Sequence, residues 1–432
     1  MKNKILEKIN KYIPLTKYNK DLIYNIISFG FSAAVILLIT FLITVFYKSE
    51  GLGYYSQVYA FYMFISQIAA WGVHLSVQKY IPQYITIERH RLDIFWSAII
   101  VTFIFSFLAS LIIAYYNNVP GQIVDSAAVS NGFIYVVPGL LFFSLNKVFF
   151  AYLNGTRQMK YYAIFSALRF FFMFVTLIVL LVFKMQVIYL SVLFTFPEII
   201  LLICFFIYFL KQIKIILSSR TKKLALIHLK YGTKVAWGHI VLGTKPDILI
   251  IGYFLSDTIV GIYSFASTII DGIVQIMYVF RTNINPVITN LYYNYEKKFI
   301  ENQLKKHIIS HYKFFSFIGV FAAIFYPIVL YFLGVNEHLF YYFIVFYILL
   351  TGCIIASGFI PLQMIFNQTG YPSTQSIYLL TLFSMNVGLT IVFTFFCGLI
   401  GAAVSTSIIF VLQIFLLKWM VRKKLGLTIK II

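Results

Sequence analysis

The 432 residues predict an all-α polytopic membrane protein, with about twelve transmembrane helices in two six-helix bundles related by a pseudo-twofold axis along the membrane normal. Three observations predict it. Hydrophobic residues make up 61% of the chain and charged residues 11%, at a mean hydropathy of +0.90, far outside the range of soluble domains. Apolar segments of about 20 residues, each long enough to cross the hydrocarbon core as a helix, alternate with short polar connections. Similar motifs also recur six segments apart.

In order, the segments run 22 to 47, 52 to 78, 93 to 116, 131 to 153, 161 to 183, 187 to 210, 231 to 255, 258 to 284, 313 to 333, 338 to 366, 375 to 396 and 398 to 417. No connection has room for a soluble domain of about 50 residues, so any function operates within or across the bilayer. The lysine-rich start MKNKILEKINKYIPLTKYNK lacks a short apolar core followed by a small-residue cleavage site, and reads as a retained cytoplasmic end. Cys204, Cys353 and Cys397 lie singly in apolar segments, where thiols act as small hydrophobes; no redox or metal role follows.

The net charge of +21 sorts by side. With both termini inside, the cytoplasmic connections carry Lys79, Arg89 and Arg91; Arg157 and Lys160; Lys211, Lys214, Arg220, Lys222, Lys223 and Lys230; and Lys297, Lys298, Lys305, Lys306 and Lys313. The two ends supply the remainder of 27 inside cations, out of 34 in the chain. Only Lys48 and Lys184 fall in the opposite connections, an asymmetry that a miscounted helix would scramble. The charge therefore serves orientation and attraction to anionic lipid, and no nucleic-acid partner is needed.

The repeat is weak but consistent. EGLGYYSQVYAFYMFISQI and LSDTIVGIYSFASTIIDGIVQI align Gly53 with Gly261 and Tyr55 with Tyr263, at an offset of 208. FAYLNGTRQMKYYAIFSALRFFF and QMIFNQTGYPSTQSIYLLTLFS align Asn154 with Asn367, at an offset of 213. Both shifts span six helices, an even number, so the copies cross in the same sense. The chain thus divides into bundles 1–210 and 231–432, joined by a basic linker, 211–230. In that linker Ile213, Ile216 and Leu217 alternate with Lys211, Lys214 and Arg220, as in a helix lying on the inner surface; a plain flexible linker fits as well.

LGYYSQVYAF opening an even-numbered helix, DILIIGYFLSDTIVGIYSFA, NINPVITNLY before a charged connection, and LIGAAVSTSIIFVLQIFLL in the last helix resemble the polysaccharide transporters. Within that group the chain is most similar to Wzx-type O-antigen and capsule flippases of the multidrug/oligosaccharidyl-lipid/polysaccharide exporter superfamily. The resemblance covers essentially the whole chain, through loose motifs none of which is a catalytic signature. It implies a V-shaped pair of bundles that moves an undecaprenyl-pyrophosphate-linked oligosaccharide from the inner to the outer leaflet of a bacterial inner membrane. It also implies a cavity lined chiefly by helices 1, 2, 7 and 8, and a polysaccharide polymerase and chain-length proteins as partners.

Charges inside the spans each carry an insertion cost of about 2.5 to 3.5 kcal/mol, so those retained should face protein or water. Five are cations, Lys147, Arg169, Lys234, Lys245 and Arg281; three are carboxylates, Glu198, Asp247 and Asp271. This excess of positive charge suits an anionic lipid pyrophosphate. Span 8 presents Thr268, Asp271, Gln275, Tyr278 and Thr282 at helical spacing, with Arg281 beside them; span 2 presents Gln67, Trp71, His74 and Gln78 in the same way. Lys234 and Lys245, eleven residues apart, share a face of span 7 at 100° per residue, and Asp247 points nearly opposite Lys245. The bland readings are that Lys234 and Arg281 snorkel, that His74 packs, and that Lys147 and Arg169 pair with Glu198 or a backbone carbonyl.

Pro246 between Lys245 and Asp247 removes a helical hydrogen bond, which predicts a break in span 7 where Lys245 meets pyrophosphate and Asp247 is held by the other bundle. Pro197 beside Glu198, and Pro286 beside Asn285, predict similar bends. No cofactor is expected, although Asp271 leaves room for coupling to H+ or Na+. The same residue keeps open a cation-coupled multidrug antiporter of the superfamily, which would need further acidic residues; span 1 has none. An enzyme would need a positioned acid, base or cation in a sizeable external loop, and the longest, NNVPGQIVDSAAVS, offers one carboxylate.

Overall fold

A computed structural model describes residues 15–84, 86–210, 221–335 and 337–429. The predicted surface helix over 211–220 and the first fourteen residues lie outside the described ones. The described chain is all helical: α1 (Leu15–Ala70), α2 (Val73–Tyr80), α3 (Glu88–Tyr115), α4 (Val119–Ile123), α5 (Ala127–Gly132), α6 (Val137–Gly155), α7 (Met159–Val182), α8 (Phe196–Leu210), α9 (Thr221–Gly243), α10 (Pro246–Phe254), α11 (Asp257–Asn294), α12 (Lys297–Phe332), α13 (Leu339–Ala356), α14 (Ile365–Gln368) and α15 (Pro372–Leu425).

Nine helical stretches among the described residues are long and apolar enough to cross a membrane. Two of them carry two predicted spans each. α1 is interrupted at Lys48 (φ 58°, ψ −169°) and α15 at Gly398 (φ 57°, ψ −138°), where the chain turns back without leaving helical hydrogen bonding for long. The seventh span is split between α9 and α10, and supplies the twelfth crossing. The tenth span is shorter than the predicted 338 to 366: α13 stops at Ala356, and a turn and a 3-10 helix (Ile360–Leu362) follow. Gly358 lies in that turn against the Tyr312 ring, where an added Cβ would come within 2.4 Å.

The duplication is written in the backbone. Thr156 and Thr369, 213 residues apart, end equivalent helices: their amides donate to Tyr152 O (2.9 Å) and Ile365 O (3.0 Å). Their hydroxyls donate to those same carbonyls, at 2.8 and 2.9 Å. The next turn closes through Gln158 N to Leu153 O (2.8 Å) and Tyr371 N to Phe366 O (2.7 Å), again at the offset of 213. Between them Arg157 (φ 58°) and Gly370 (φ 86°) both take the left-handed conformation, which only the glycine adopts without strain.

The chain forms two compact units. One gathers residues up to Ile39, Tyr62–Asn117 and Asn131–His239; the other gathers Thr40–Phe61, Asn118–Ser130 and residues from Ile240 on. In the first, Phe95, Phe149, Phe205 and Phe209 form an aromatic centre, with Phe149 and Phe205 stacked at 5.1 Å. Here His228, 1% exposed, fastens α9 to its neighbours: Nε2 donates to Ile94 O (3.1 Å), so Nδ1 is left to accept from the Ser76 hydroxyl. In the second, Tyr263, Phe265, Tyr326 and Tyr342 are buried between α11, α12 and α13. Apolar side chains such as Phe107, Leu111 and Ile112 on α3 and Phe321, Ile324 and Ile328 on α12 are exposed, the arrangement expected where lipid is the solvent.

Candidate functional site

In the second unit the predicted break in span 7 is present. α9 ends at Gly243 and α10 begins at Pro246, whose missing N–H costs nothing in a first helical turn. Lys245 (φ −115°, ψ 77°) is the non-helical residue ahead of α10. Its ammonium lies 2.5 Å from Asp271 Oδ2 on α11, so the cation predicted to face pyrophosphate is neutralised by a carboxylate. Because the helix is interrupted, the count of 100° per residue does not carry from Lys234 to Lys245, and the two do not share a helical face. Lys234 is exposed.

Asp247, predicted to be held by the other bundle, is held from α11 of the same unit. The Tyr263 hydroxyl donates to its Oδ2 at 2.7 Å. That uses the tyrosine's only proton, so Thr406 donates to the Tyr263 oxygen at 2.9 Å. These groups surround a pocket of about 170 Å³, lined also by Thr244, Ser267 and Asn386. One ammonium against two carboxylates leaves the pocket with a formal charge of −1. It has room for a few water molecules, and is smaller than the roughly 300 Å³ at which small-molecule sites begin.

The first unit holds the opposite arrangement. Glu198 is 5% exposed and sits in the first turn of α8, where helix-terminal amides favour a carboxylate. Pro197 marks the break at Thr195 between a 3-10 helix and α8, as predicted. Arg169 Nε lies 2.7 Å from Glu198 Oε1 and Nη2 donates to Oε2 at 3.1 Å; Asn146 Nδ2 donates to Oε2 at 2.7 Å. Lys147 does not reach Glu198 and instead donates to Gln67 Oε1 at 2.9 Å. The Phe143 ring receives both cations, Lys147 at 4.7 Å and Arg169 at 5.0 Å from its centroid. Two cations against one carboxylate make this cluster formally +1.

Other predicted residues scatter. Span 2 does not present one stripe, because α1 ends at Trp71 (φ 42°) and Gly72 (φ 65°) before α2 restarts. Gln67 therefore turns to Lys147, while Trp71 Nε1 donates to Thr233 Oγ1 at 3.1 Å; His74 is half-buried beyond the break. α11 runs unbroken through Pro286, where a bend was predicted, so its polar stripe holds over the described side chains. On it Gln275 is exposed, and Arg281 stacks on Tyr278 at 3.9 Å. Sequence reasoning passed over Tyr263, Thr406, Asn146 and Phe143. The only available signal was Tyr263 in the repeated motif; the others are single polar or aromatic residues in apolar runs and have no pattern of their own.

The sequence profile of the family described as "Polysaccharide biosynthesis protein" matches residues 19–292. No curated protein matches the sequence. Among solved structures, a lipid II flippase MurJ in an inward closed conformation superposes with a TM-score of 0.73 at 15% identity, covering 93% of this chain and 87% of that one. An inward-facing multidrug resistance MATE family transporter of the MOP superfamily gives 0.72 at 14% identity, covering 90% and 98%. A MOP superfamily transporter from Pyrococcus furiosus, described as having a binding pocket of reverse polarity, gives 0.57 at 13% identity, covering 94% and 95%. Its fold is therefore that of the MOP-superfamily transporters.

Proposed function

Because the chain belongs to the polysaccharide biosynthesis protein family, we propose that it is a flippase for undecaprenyl-pyrophosphate-linked oligosaccharide repeat units. It moves them from the inner to the outer leaflet of the bacterial inner membrane, for O-antigen or another surface polysaccharide. The family match carries this reading, and the chemistry of the two sites supports it. The +1 cluster of Lys147 and Arg169, spread over an aromatic ring, attracts a diphosphate by charge-assisted hydrogen bonding. The −1 pocket at Lys245, Asp247 and Asp271 is sized and charged for H+ or Na+, which would couple an ion gradient to alternating access. Halves 1–210 and 231–432 are the moving parts, both termini are cytoplasmic, and the polymer's polymerase and chain-length proteins act downstream. No bond is made or broken.

Deleting the gene and assaying both surface polysaccharide and lipid-linked intermediates tests this. Loss of polymer, with single repeats trapped where external protease or lectin cannot reach them, is the expected result. Normal polymer with altered sensitivity to cationic drugs would replace the reading by a multidrug antiporter, for which the acidic pocket would be the drug-coupling site.

A further inference from the structure

The glycines that define the repeat meet each other. Gly53 of α1 and Gly261 of α11 are equivalent at the offset of 208, and so are Ser49 and Asp257. A Cβ added at Gly53 would lie 1.7 Å from the Asp257 carbonyl oxygen, and one added at Gly261 would lie 1.8 Å from the Ser49 carbonyl oxygen. Each would also lie 3.0 Å from the backbone nitrogen of the other glycine. The contact is reciprocal, and it brings two helix backbones closer than any side chain would allow.

Side chains fasten the crossing from both ends. The Asp257 carboxylate accepts from Gln57 Nε2 at 2.8 Å and from the Ser126 hydroxyl at 2.7 Å. Ser49 Oγ and the buried Tyr342 hydroxyl are 2.8 Å apart. Ser49, Ser126 and Asp257 come from three different connections, all on the side that carries few basic residues. The segments involved, Thr40–Phe61 and Asn118–Ser130, belong to the second compact unit, yet both continue along the chain into the first.

We propose that this crossing is a latch: closed here, it must part for the non-cytoplasmic end to open in each transport cycle, and Asp257 is its catch. The reciprocity explains why glycine is needed at both positions, since either side chain would strike a backbone carbonyl that cannot rotate away. The inference rests on the transporter fold and not on which substrate is moved.

The test uses the full-length protein in membranes, with Cys204, Cys353 and Cys397 replaced by serine and Val124→Cys as reporter. Val124 is 2% exposed, packs beside Gly252 and Gln57, and makes none of the latch hydrogen bonds. A membrane-impermeant maleimide added from the non-cytoplasmic side should label this cysteine slowly in the parent. Gly53→Ala and Gly261→Ala should each speed labelling about tenfold or more by holding the latch open. Gly272→Ala, in the same helix α11 with nothing within 4 Å of the added methyl, should leave it unchanged. Asp257→Asn, which keeps the backbone crossing and the side-chain shape, should speed labelling by a smaller factor, and keeps the test open if the alanine variants do not insert. Equal labelling of Asp257→Asn and the parent, or of inserted glycine variants and the parent, would show a static packing contact and overturn the proposal.

Discussion

Replacing Glu198 by Gln removes one charge and leaves the shape of the first unit's cluster intact. In the parent this carboxylate, at 5% exposure, accepts two hydrogen bonds, one from Arg169 Nη2 and one from Asn146 Nδ2, and lies 2.7 Å from Arg169 Nε in an ion pair. The variant's amide oxygen retains one acceptor, but the guanidinium cannot lose its proton and is left without a counter-charge. Removing one partner of a buried pair costs about 3 to 5 kcal/mol. Part of that is offset here, because Arg169 still lies 5.0 Å from the Phe143 centroid and 4.9 Å from that of Phe150, contacts worth about 0.5 to 2 kcal/mol when desolvated. The expected loss is therefore about 3 kcal/mol. Arg169→Gln should lose less, because Asn146 still donates to the carboxylate left behind. The double variant should lose less than the sum of the two, with a coupling of about 1.5 to 3 kcal/mol. Reversible unfolding of detergent-solubilised protein, followed by tryptophan fluorescence, measures all four corners. Additivity within about 0.5 kcal/mol, or a Glu198→Gln variant as stable as the parent, would refute the view that this pair is desolvated.

Lys245→Ala leaves Asp247 and Asp271 facing each other; because the Lys245 and Asp271 side chains are 32% and 48% exposed, stability should fall by no more than about 1 kcal/mol, while ion-driven transport in proteoliposomes is lost. Lys147→Gln should retain the fold and weaken retention of a diphosphate-bearing lipid in a flotation assay by tenfold or so. Gly272→Ala places a methyl in open space within α11 and should raise stability by about 0.5 to 1 kcal/mol in the same unfolding titration. Burial pushes the His228 imidazole, three residues ahead of span 7, from 6.5 down to about 4. Below pH 6.5 the unfolded chain binds a proton that the folded chain refuses, so stability present above that pH should drain away towards pH 4, by up to about 3 kcal/mol. His228→Gln should flatten the slope in unfolding titrations run between about pH 7 and about pH 4.5.

Twelve crossings and the duplication were legible because both are one-dimensional signals. Hydropathy gives the number of spans, and an offset of 213 places Thr156 on Thr369 down to the same pair of hydrogen bonds. The break at Pro246 was legible too, since proline acts on its own helix. What lay beyond reach were the partners. Lys245 meets Asp271 from 26 residues away, and Asp247 meets Tyr263 instead of the other bundle. Periodicity could not warn that Trp71 and Gly72 interrupt span 2, because neither residue breaks a helix by rule: Gly72 could have been helical, and Trp71, which has a positive φ and an indole that donates to Thr233, is an ordinary helix residue in sequence. A stripe drawn through such a point joins residues that point in different directions.

That limit changes which cation matters. Counting charges inside the spans gave a surplus of positive charge but could not locate it. With the side chains placed, Lys245 is matched by Asp271, Arg169 by Glu198, and Lys234 is exposed. Arg281 has an aromatic partner, Tyr278, whose ring is satisfied by a cation and needs no anion. Among the described intramembrane cations this leaves Lys147, which faces only a neutral amide and a phenyl ring beside an ion pair that is already complete. A neutral amide holds an ammonium but does not discharge it, so Lys147 is the cation whose environment improves most when an anion arrives. Transport by Lys147→Gln and Lys147→Arg should therefore separate: if charge is what the substrate reads, arginine restores movement of the lipid-linked saccharide and glutamine does not. If both variants transport like the parent, the surplus is a requirement of folding, and the diphosphate is held elsewhere.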